Sequence, residues 1–151
     1  MKQMTASARK LCGSMLCACM IACAALFMTS CDKDAIGDET LLYGRWEMVD
    51  FEGFEKEGGE LVDEWDFDPA VDAGDYVIFH SDHTYVEGSG ANTGDSGTWR
   101  IKGNKLYVTC EGETVGATIS TLTASSLVFE VHYRESGYEY YERSSFRKVE
   151  E

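Results

Sequence analysis

Between Leu41 and Val149, apolar and polar residues alternate in short runs that are separated by turn-forming residues. Alternation with a period of two is typical of β-strands, because successive side chains point to opposite faces of a sheet. Sustained apolar spacing of three and four residues, which would indicate helices, is not found there. Eight strands joined by hairpins are predicted, over residues 44–52, 76–80, 84–87, 98–101, 105–111, 114–121, 127–133 and 138–148.

Many short strands with regularly spaced turns predict an all-β fold, here an eight-stranded antiparallel up-and-down barrel over residues 41–149. A barrel of this size is filled by side chains or holds one small ligand. The strand 127–133 carries an apolar face, as does the strand 105–111, and these two faces are expected to meet inside. Cys110 is interpreted as a small apolar core residue rather than a reactive thiol.

The segment 53–74 interrupts this pattern, because it is long, acidic and rich in glycine. A loop of this length without secondary structure is unusual in a compact domain, so the segment is either functional or partly folded. Its apolar residues, Trp65 among them, favour a lid that folds over the barrel. The tyrosines of the final hairpin, such as Tyr138 and Tyr141, are expected to pack beneath this segment or to form a binding patch.

The first thirty residues follow a different pattern, with Lys2, Arg9 and Lys10 preceding an uncharged apolar run from Leu11 to Met28. A basic start followed by an apolar run is typical of a secretory signal peptide. The run is also about long enough to span a bilayer as a helix, so an uncleaved membrane anchor is the alternative. The sequence therefore predicts a signal segment over residues 1–30, in helical conformation.

The small residues Thr29-Ser30 stand directly before Cys31, and a polar acidic stretch follows. This arrangement resembles the bacterial lipoprotein signal, in which the cysteine is acylated and becomes the mature N-terminus. The resemblance implies lipidation of Cys31 with palmitate-like chains, which would hold the protein to a membrane. Residues 31–40 then form a flexible tether. The stretch after Cys31 also resembles surface-export signals of Gram-negative gut anaerobes, so the expected location is the outer membrane, in its periplasmic or surface leaflet.

Removal of the signal segment makes the chain still more acidic. That segment holds three of the thirteen basic residues and none of the twenty-seven acidic ones, so the rest carries a net charge of −17. Nucleic acids and anionic lipid surfaces are themselves polyanions. A surface as acidic as this one therefore argues against binding to either. Four of the six cysteines also lie in the signal segment, which leaves Cys110 as the thiol of the mature chain.

Gly44-Arg45-Trp46 at the head of the first strand matches the Gly-x-Trp signature of lipocalins. The runs VIFHSDHTYV, GTWRIKGNKLYV, ISTLTASSLVFE and YERSSFRKV extend the match across residues 41–149. Together they resemble the short lipocalin-like domain of lipoproteins from gut anaerobes. The resemblance implies that Trp46 plugs one end of the barrel and that a basic residue of the last strand, Arg143 or Arg147, stacks over it. This sequence departs from the family pattern at His83, which replaces a hairpin glycine, and in the length of segment 53–74.

Motifs for metal binding or catalysis are weak in this sequence. His80 and His83 stand three residues apart across a hairpin, but no third ligand has a recognisable spacing. The acidic run 63–68 could gather around calcium, although it lacks the glycine and terminal glutamate of a helix-loop-helix site. Nucleophile elbows, zinc-protease helices and phosphate-binding loops are also missing. No metal, no cofactor and no enzymatic activity are therefore predicted.

Two hypotheses for the function remain open. The resemblance implies a non-enzymatic binding protein that holds a small apolar molecule inside the barrel, with Trp46 as the plug and segment 53–74 as the lid. The alternative is a protein–protein interaction module that uses the acidic segment and exposed tyrosines. The sequence does not identify the ligand-binding residues.

Overall fold

Nine antiparallel strands form a single sheet in the computed structural model, which describes residues 36–150. A short 3-10 helix, Glu39–Leu42, precedes them. No helix within the described residues is long and apolar enough to cross a membrane. The predicted signal segment and Cys31 lie outside this range. The strands are β1 Gly44–Glu57, β2 Glu60–Asp66, β3 Asp75–Phe79, β4 Thr84–Ser89, β5 Asn92–Lys102, β6 Lys105–Cys110, β7 Glu113–Leu122, β8 Ser126–Glu135 and β9 Tyr138–Val149.

The long strand β1 closes the sheet into a barrel. One edge of β1 pairs with β9 from Arg45 to Glu57, with a bulge between Met48 and Asp50. Its other edge pairs first with β3, through residues 44–47, and then with β2, through residues 52–57. The eight strands β1 and β3–β9 therefore form a closed ring, which confirms the predicted all-β antiparallel barrel. Strand β2 is added beside the far half of β1.

The segment 53–74 is folded over most of its length and is not a long loop. Strand β1 continues to Glu57, and Gly58 and Gly59 form a tight turn with φ values of 61° and 88°. Glycine suits this turn because positive φ costs it little energy. Strand β2 then returns along β1, and residues 67–74 form the connection to β3.

The predicted strands 84–87 and 98–101 leave the polar stretch 88–97 as a loop, and this prediction is wrong. Strand β4 runs to Ser89, a turn forms at Gly90, and β5 begins at Asn92. The ladder between these strands continues through polar residues, with a register shift between Val86 and Gly88. Backbone hydrogen bonds can maintain a strand even where its side chains are polar. An exposed hairpin therefore need not show the alternation of apolar and polar residues that predicts a strand.

The core lies inside the barrel, and its largest buried rings lie near the end where β1 begins. Trp46, Phe79, Tyr85, Trp99 and Leu127 are each at most 3% exposed. Phe79 and Trp99 meet edge to face, with ring centroids 5.8 Å apart, and Phe79 also contacts Tyr85. We call this end of the barrel the closed end. The opposite end, where the turns at Gly58, Gly90, Gly112 and Gly137 lie, is called the open end.

Candidate ligand-binding site in the barrel

Trp46 fills the closed end of the barrel, and its side chain has no exposed surface. Its indole Nε1 donates a hydrogen bond of 2.7 Å to the carbonyl of Leu42, the last residue of the 3-10 helix. Asp38 caps that helix by accepting hydrogen bonds from the Thr40 hydroxyl and backbone N–H, and these bonds hold the pKa of Asp38 below its usual range. The helix and Trp46 together cover this end of the barrel.

The cation over Trp46 comes from Lys148, not from Arg143 or Arg147. The Lys148 Nζ lies 4.9 Å from the centroid of the Trp46 ring and donates a hydrogen bond of 2.8 Å to the carbonyl of Leu41. Burial lowers the pKa of Lys148. Trp46 pairs with Lys148 across β1 and β9, so these two side chains share a face of the sheet.

Arg143 and Arg147 stand at odd positions of β9, whereas the even positions from Tyr140 to Phe146 are buried. Both arginines therefore project outward. Arg143 lies 3.8 Å from carboxylate oxygens of Asp50 and Glu52, and Arg147 lies 3.7 Å from Glu47. The prediction that one of them covers Trp46 is wrong. It considered only which residues of the last strand are basic, and the strand pairing determines which of those side chains point inward.

At the open end, Trp65 of β2 turns into the barrel over Gly53. A Cβ atom on Gly53 would lie 2.5 Å from Trp65 Nε1 and 2.6 Å from the carbonyl oxygen of Tyr141, so only glycine leaves room for the indole. The indole ring also contacts Phe51 and Tyr140, with centroid distances of 6.4 and 5.7 Å. Trp65 thus covers the interior from the strand that is attached to the ring only through β1.

Two carboxyl groups are buried in the interior next to Trp65. Glu87 of β4 is 5% exposed and Glu142 of β9 is 3% exposed. Burial, aided by the charge of Glu87, raises the pKa of Glu142 to about 7, and the nearby hydroxyl groups of Tyr140 and Ser144 oppose this rise. The Tyr140 hydroxyl donates to Glu142 Oε2. Near neutral pH, the protonated and ionised forms of Glu142 are therefore close in free energy.

The tyrosines of the last hairpin divide between the two faces of the sheet. Tyr133 stacks on Tyr140 and contacts Tyr138, with centroid distances of 5.4 and 5.6 Å. Burial, with hydrogen bonds to Tyr133 and Glu55, raises the pKa of Tyr138. Tyr141 lies on the outer face instead and stacks on Phe54 of β1 at 5.4 Å. The sequence left open whether these tyrosines pack beneath segment 53–74 or form a binding patch, and both Tyr140 and Tyr141 contact aromatic residues of that segment.

Asp75 adds a further carboxyl group at this end, on β3 opposite Ser89 of β4. Burial raises the pKa of Asp75, although a hydrogen bond from Ser89 opposes the shift. The Asp75 Oδ1 atom is buried and has no hydrogen-bond partner within residues 36–150. The open half of the barrel is therefore acidic and aromatic, whereas the closed half is apolar.

The histidines that the sequence singled out do not form a site together. His83 adopts φ 65°, a conformation that favours glycine, and packs edge-on against Trp99 at 4.7 Å. His80 is exposed and its carbonyl accepts a hydrogen bond of 3.2 Å from Trp99 Nε1. Within the described residues, no three histidine, cysteine or acidic side chains are arranged to hold a metal ion. The thiol of Cys110 is buried on the inner face of β6.

A family model described as a lipocalin-like domain matches residues 42–129, more than half of the 151-residue chain. The chain belongs to the lipocalin-like domain family. The match begins at the residue that accepts the Trp46 hydrogen bond and includes β1–β7 and part of β8. The comparison with curated proteins gives no match. In this lipocalin-like domain, membership in the family supports a binding role, and the residues of the interior decide what is bound.

Sequence reasoning missed the residues that make the interior polar, namely Glu87, Glu142 and Ser144. The sequence does contain a signal for Glu142. It lies on the same face of its strand as Tyr140, Ser144 and Phe146, and the first and last residues of this face are aromatic. Glutamate between buried aromatic positions is unusual unless the carboxyl group has a role inside. Glu87 follows Tyr85 on the same face of β4, but this strand is short and contains glycine, so its pattern does not indicate that Glu87 points inward.

Proposed function

We propose that this lipocalin-like domain is a membrane-anchored, non-enzymatic binding protein of the cell envelope that holds a small, largely apolar molecule in its barrel. The difference between the two barrel ends carries this proposal. Trp46 and the 3-10 helix cover the closed end, with hydrogen bonds to Leu41 and Leu42 fixing the contact. At the open end, Trp65 of β2 packs against the core, and residues 60–64 of that strand are all exposed.

Strand β2 has the properties of a cover that can move. It pairs with β1 alone among the described strands, and a register shift interrupts that pairing between Glu55 and Lys56. Elements with few buried contacts open at a lower free-energy cost than the core. Displacement of β2 would withdraw Trp65 from Gly53 and give a guest access to the interior.

The anchor would attach at the closed end. The backbone N–H of Ile36 donates a hydrogen bond of 3.2 Å to the carbonyl of Gly103, in the turn between β5 and β6. The five Cα–Cα steps from Cys31 to Ile36 span at most roughly 18 Å when extended. A lipidated Cys31 would therefore hold the closed end near the membrane and direct the open end away from it.

Native mass spectrometry of residues 32–151, which contain every described strand, tests the binding function. After exposure to an extract of envelope lipids and metabolites, we expect a discrete added mass that disappears on unfolding. The matched variants are Val131→Phe, which enlarges an inward residue paired with Glu142, and Val49→Phe, at a position that is 43% exposed. The first should lose the added mass and the second should keep it.

A bare mass in the unmodified protein, together with tryptophan fluorescence that apolar probes do not change, would contradict the binding function. The alternative, a protein–protein interaction module, is favoured by one observation. Leu61 and Val62 of β2 are 53% and 57% exposed on a strand whose outer edge has no partner among residues 36–150. Exposed strand edges of this kind accept a strand from another protein.

Lipidation is tested separately, by growing the source or a bacterial host expressing the full chain with labelled palmitate. We expect label in the protein and its recovery in the membrane fraction, and Cys31→Ser should abolish both. Cys110→Ser is the matched control, because Cys110 is buried in the barrel and should not accept a chain. Equal labelling of Cys31→Ser and the unmodified protein would rule out Cys31 as the attachment site.

A further inference from the structure

The interior of the barrel places negative charge where a ligand would lie. Glu87 and Glu142 come from β4 and β9, which are not neighbours in the sheet, and both are at least 95% buried. They lie near enough that the charge of one acts on the other. Burial of an ionised carboxylate is costly unless a positive charge or hydrogen-bond donors compensate for it.

Two polar groups beside Glu142 lack hydrogen-bond partners within the described residues. The Ser144 side chain is 0% exposed and follows Glu142 on the inward face of β9, and its Oγ has no partner in hydrogen-bonding geometry. The Nε1 of Trp65 is also buried and without a partner. Gly53, beneath this nitrogen, pairs directly with Glu142 across β1 and β9. Native structures seldom leave buried polar atoms unsatisfied, so these atoms point to a polar ligand at this position.

Aromatic rings surround the same position. Trp65 and Tyr140 contact each other, and Tyr133 stacks on Tyr140. The faces of such rings attract cations and also pack against hydrocarbon. Acidic groups beside aromatic faces therefore suit a molecule that joins a positive charge to an apolar body.

We propose that the barrel binds a small organic ammonium ion, with its charged nitrogen between Glu87 and Glu142 and its apolar part against Trp65 and Tyr140. This inference rests on the proposed binding function and specifies the class of ligand. A primary ammonium group offers three N–H donors, which match the two carboxylates and the Ser144 hydroxyl oxygen. The acidic exterior, with a net charge of −17 over residues 31–151, favours the approach of such a cation.

Matched pairs of probes test this inference on residues 32–151. Ethyl-, butyl-, hexyl- and phenethylammonium are each compared with the alcohol of the same skeleton, by isothermal titration calorimetry at pH 7.5. For at least one pair we expect the ammonium ion to bind tenfold or more tightly than the alcohol. The double variant Glu87→Gln/Glu142→Gln should reduce this ratio to about one and leave binding of the alcohol within about twofold.

The surface variant Glu135→Gln is the matched control, since Glu135 is exposed at the end of β8. It should keep the preference for the ammonium ion. If the double variant does not fold, as judged by circular dichroism, the single variants Glu87→Gln and Glu142→Gln are used, and each should lower the ratio at least threefold.

The remaining outcomes separate the two proposals. Equal affinity for ammonium ion and alcohol would overturn the ligand class and leave the binding function standing. A preference that survives in the double variant would also overturn the inference, because it would then arise from surface charge. Absence of binding by all four pairs, with a bare mass after exposure to the extract, would overturn both proposals.

Discussion

Replacement of Trp46 by alanine is expected to lower the free energy of unfolding by about 4 kcal/mol, because a fully buried indole leaves a cavity that the strands cannot close. The substitution removes the packing against the closed end, the hydrogen bond to Leu42 and the contact with the Lys148 ammonium group. Urea unfolding of residues 32–151, followed by circular dichroism, measures the change. Trp46→Phe keeps a ring but loses the hydrogen bond, and it should cost less than Trp46→Ala.

Trp65→Ala is the matched control for this prediction. It makes the same chemical change on β2, where the indole is only partly buried and the strand has a single neighbour. We expect a loss of about 1–2 kcal/mol, well below that of Trp46→Ala. Equal losses from the two substitutions would show that the closed end does not hold the barrel together as described.

The barrel is expected to lose stability as the pH rises from about 4.5 to about 7, because Glu142 must ionise inside it. Burial, aided by the charge of Glu87, raises the pKa of Glu142 from 4.5 to about 7. Below pH 4.5 the folded and unfolded chains both keep the proton, so the group has no effect. At higher pH the unfolded chain loses the proton first, which lowers the free energy of unfolding. The full shift corresponds to about 3 kcal/mol.

Glu142→Gln removes the ionisation and preserves the shape of the side chain. The variant should therefore exceed the unmodified protein in stability at pH 8 by up to about 3 kcal/mol and match it more closely at pH 4.5. Glu135→Gln, at an exposed position, should follow the unmodified protein at every pH. Urea unfolding from pH 4 to 8 gives the comparison, and parallel curves for Glu142→Gln and the unmodified protein would contradict the prediction.

Other ionisable groups do not obscure this comparison. Asp75 faces the interior from β3, and burial raises its pKa, so it acts in the same direction as Glu142 in both proteins. Hydrogen bonds lower the pKa values of Asp38, Asp82 and Glu139, which contribute stability that is lost as the pH falls. The difference between the variant and the unmodified protein isolates Glu142 and the groups that face it, namely Glu87, Tyr140 and Ser144.

The signature residues of the lipocalin-like domain do not encode the ligand preference that we propose. Gly44 and Trp46 lie at the closed end, far along β1 from Gly53 and its partner Glu142. Those two signature residues contribute to the stability of the fold. The ligand preference that we propose depends instead on inward positions of the opposite half, which lie apart from the plug.

Local sequence information determined the class of fold and most of the strands. Alternation in runs such as Leu127–Tyr133 and glycine-containing turns such as Lys102-Gly103-Asn104 depend on neighbouring residues alone, so they were legible without a structure. The same holds for the position of Trp46, which the match to Gly-x-Trp placed at the head of β1. The predicted signal segment and lipidation of Cys31 lie outside the described residues and stay predictions.

Tertiary structure alone decided which residues share the interior. The pairing of β1 with β9, including the bulge near Met48, fixes which alternate positions of β9 point inward, and it selects Lys148 over Arg143 and Arg147. Ring closure likewise buries Glu87 and Glu142 in the same interior, although they are far apart in the sequence. A shift of one residue in register would turn every one of these side chains to the other face. Alternation in the sequence gives two faces to each strand, and only the register of the closed barrel determines which face is inside.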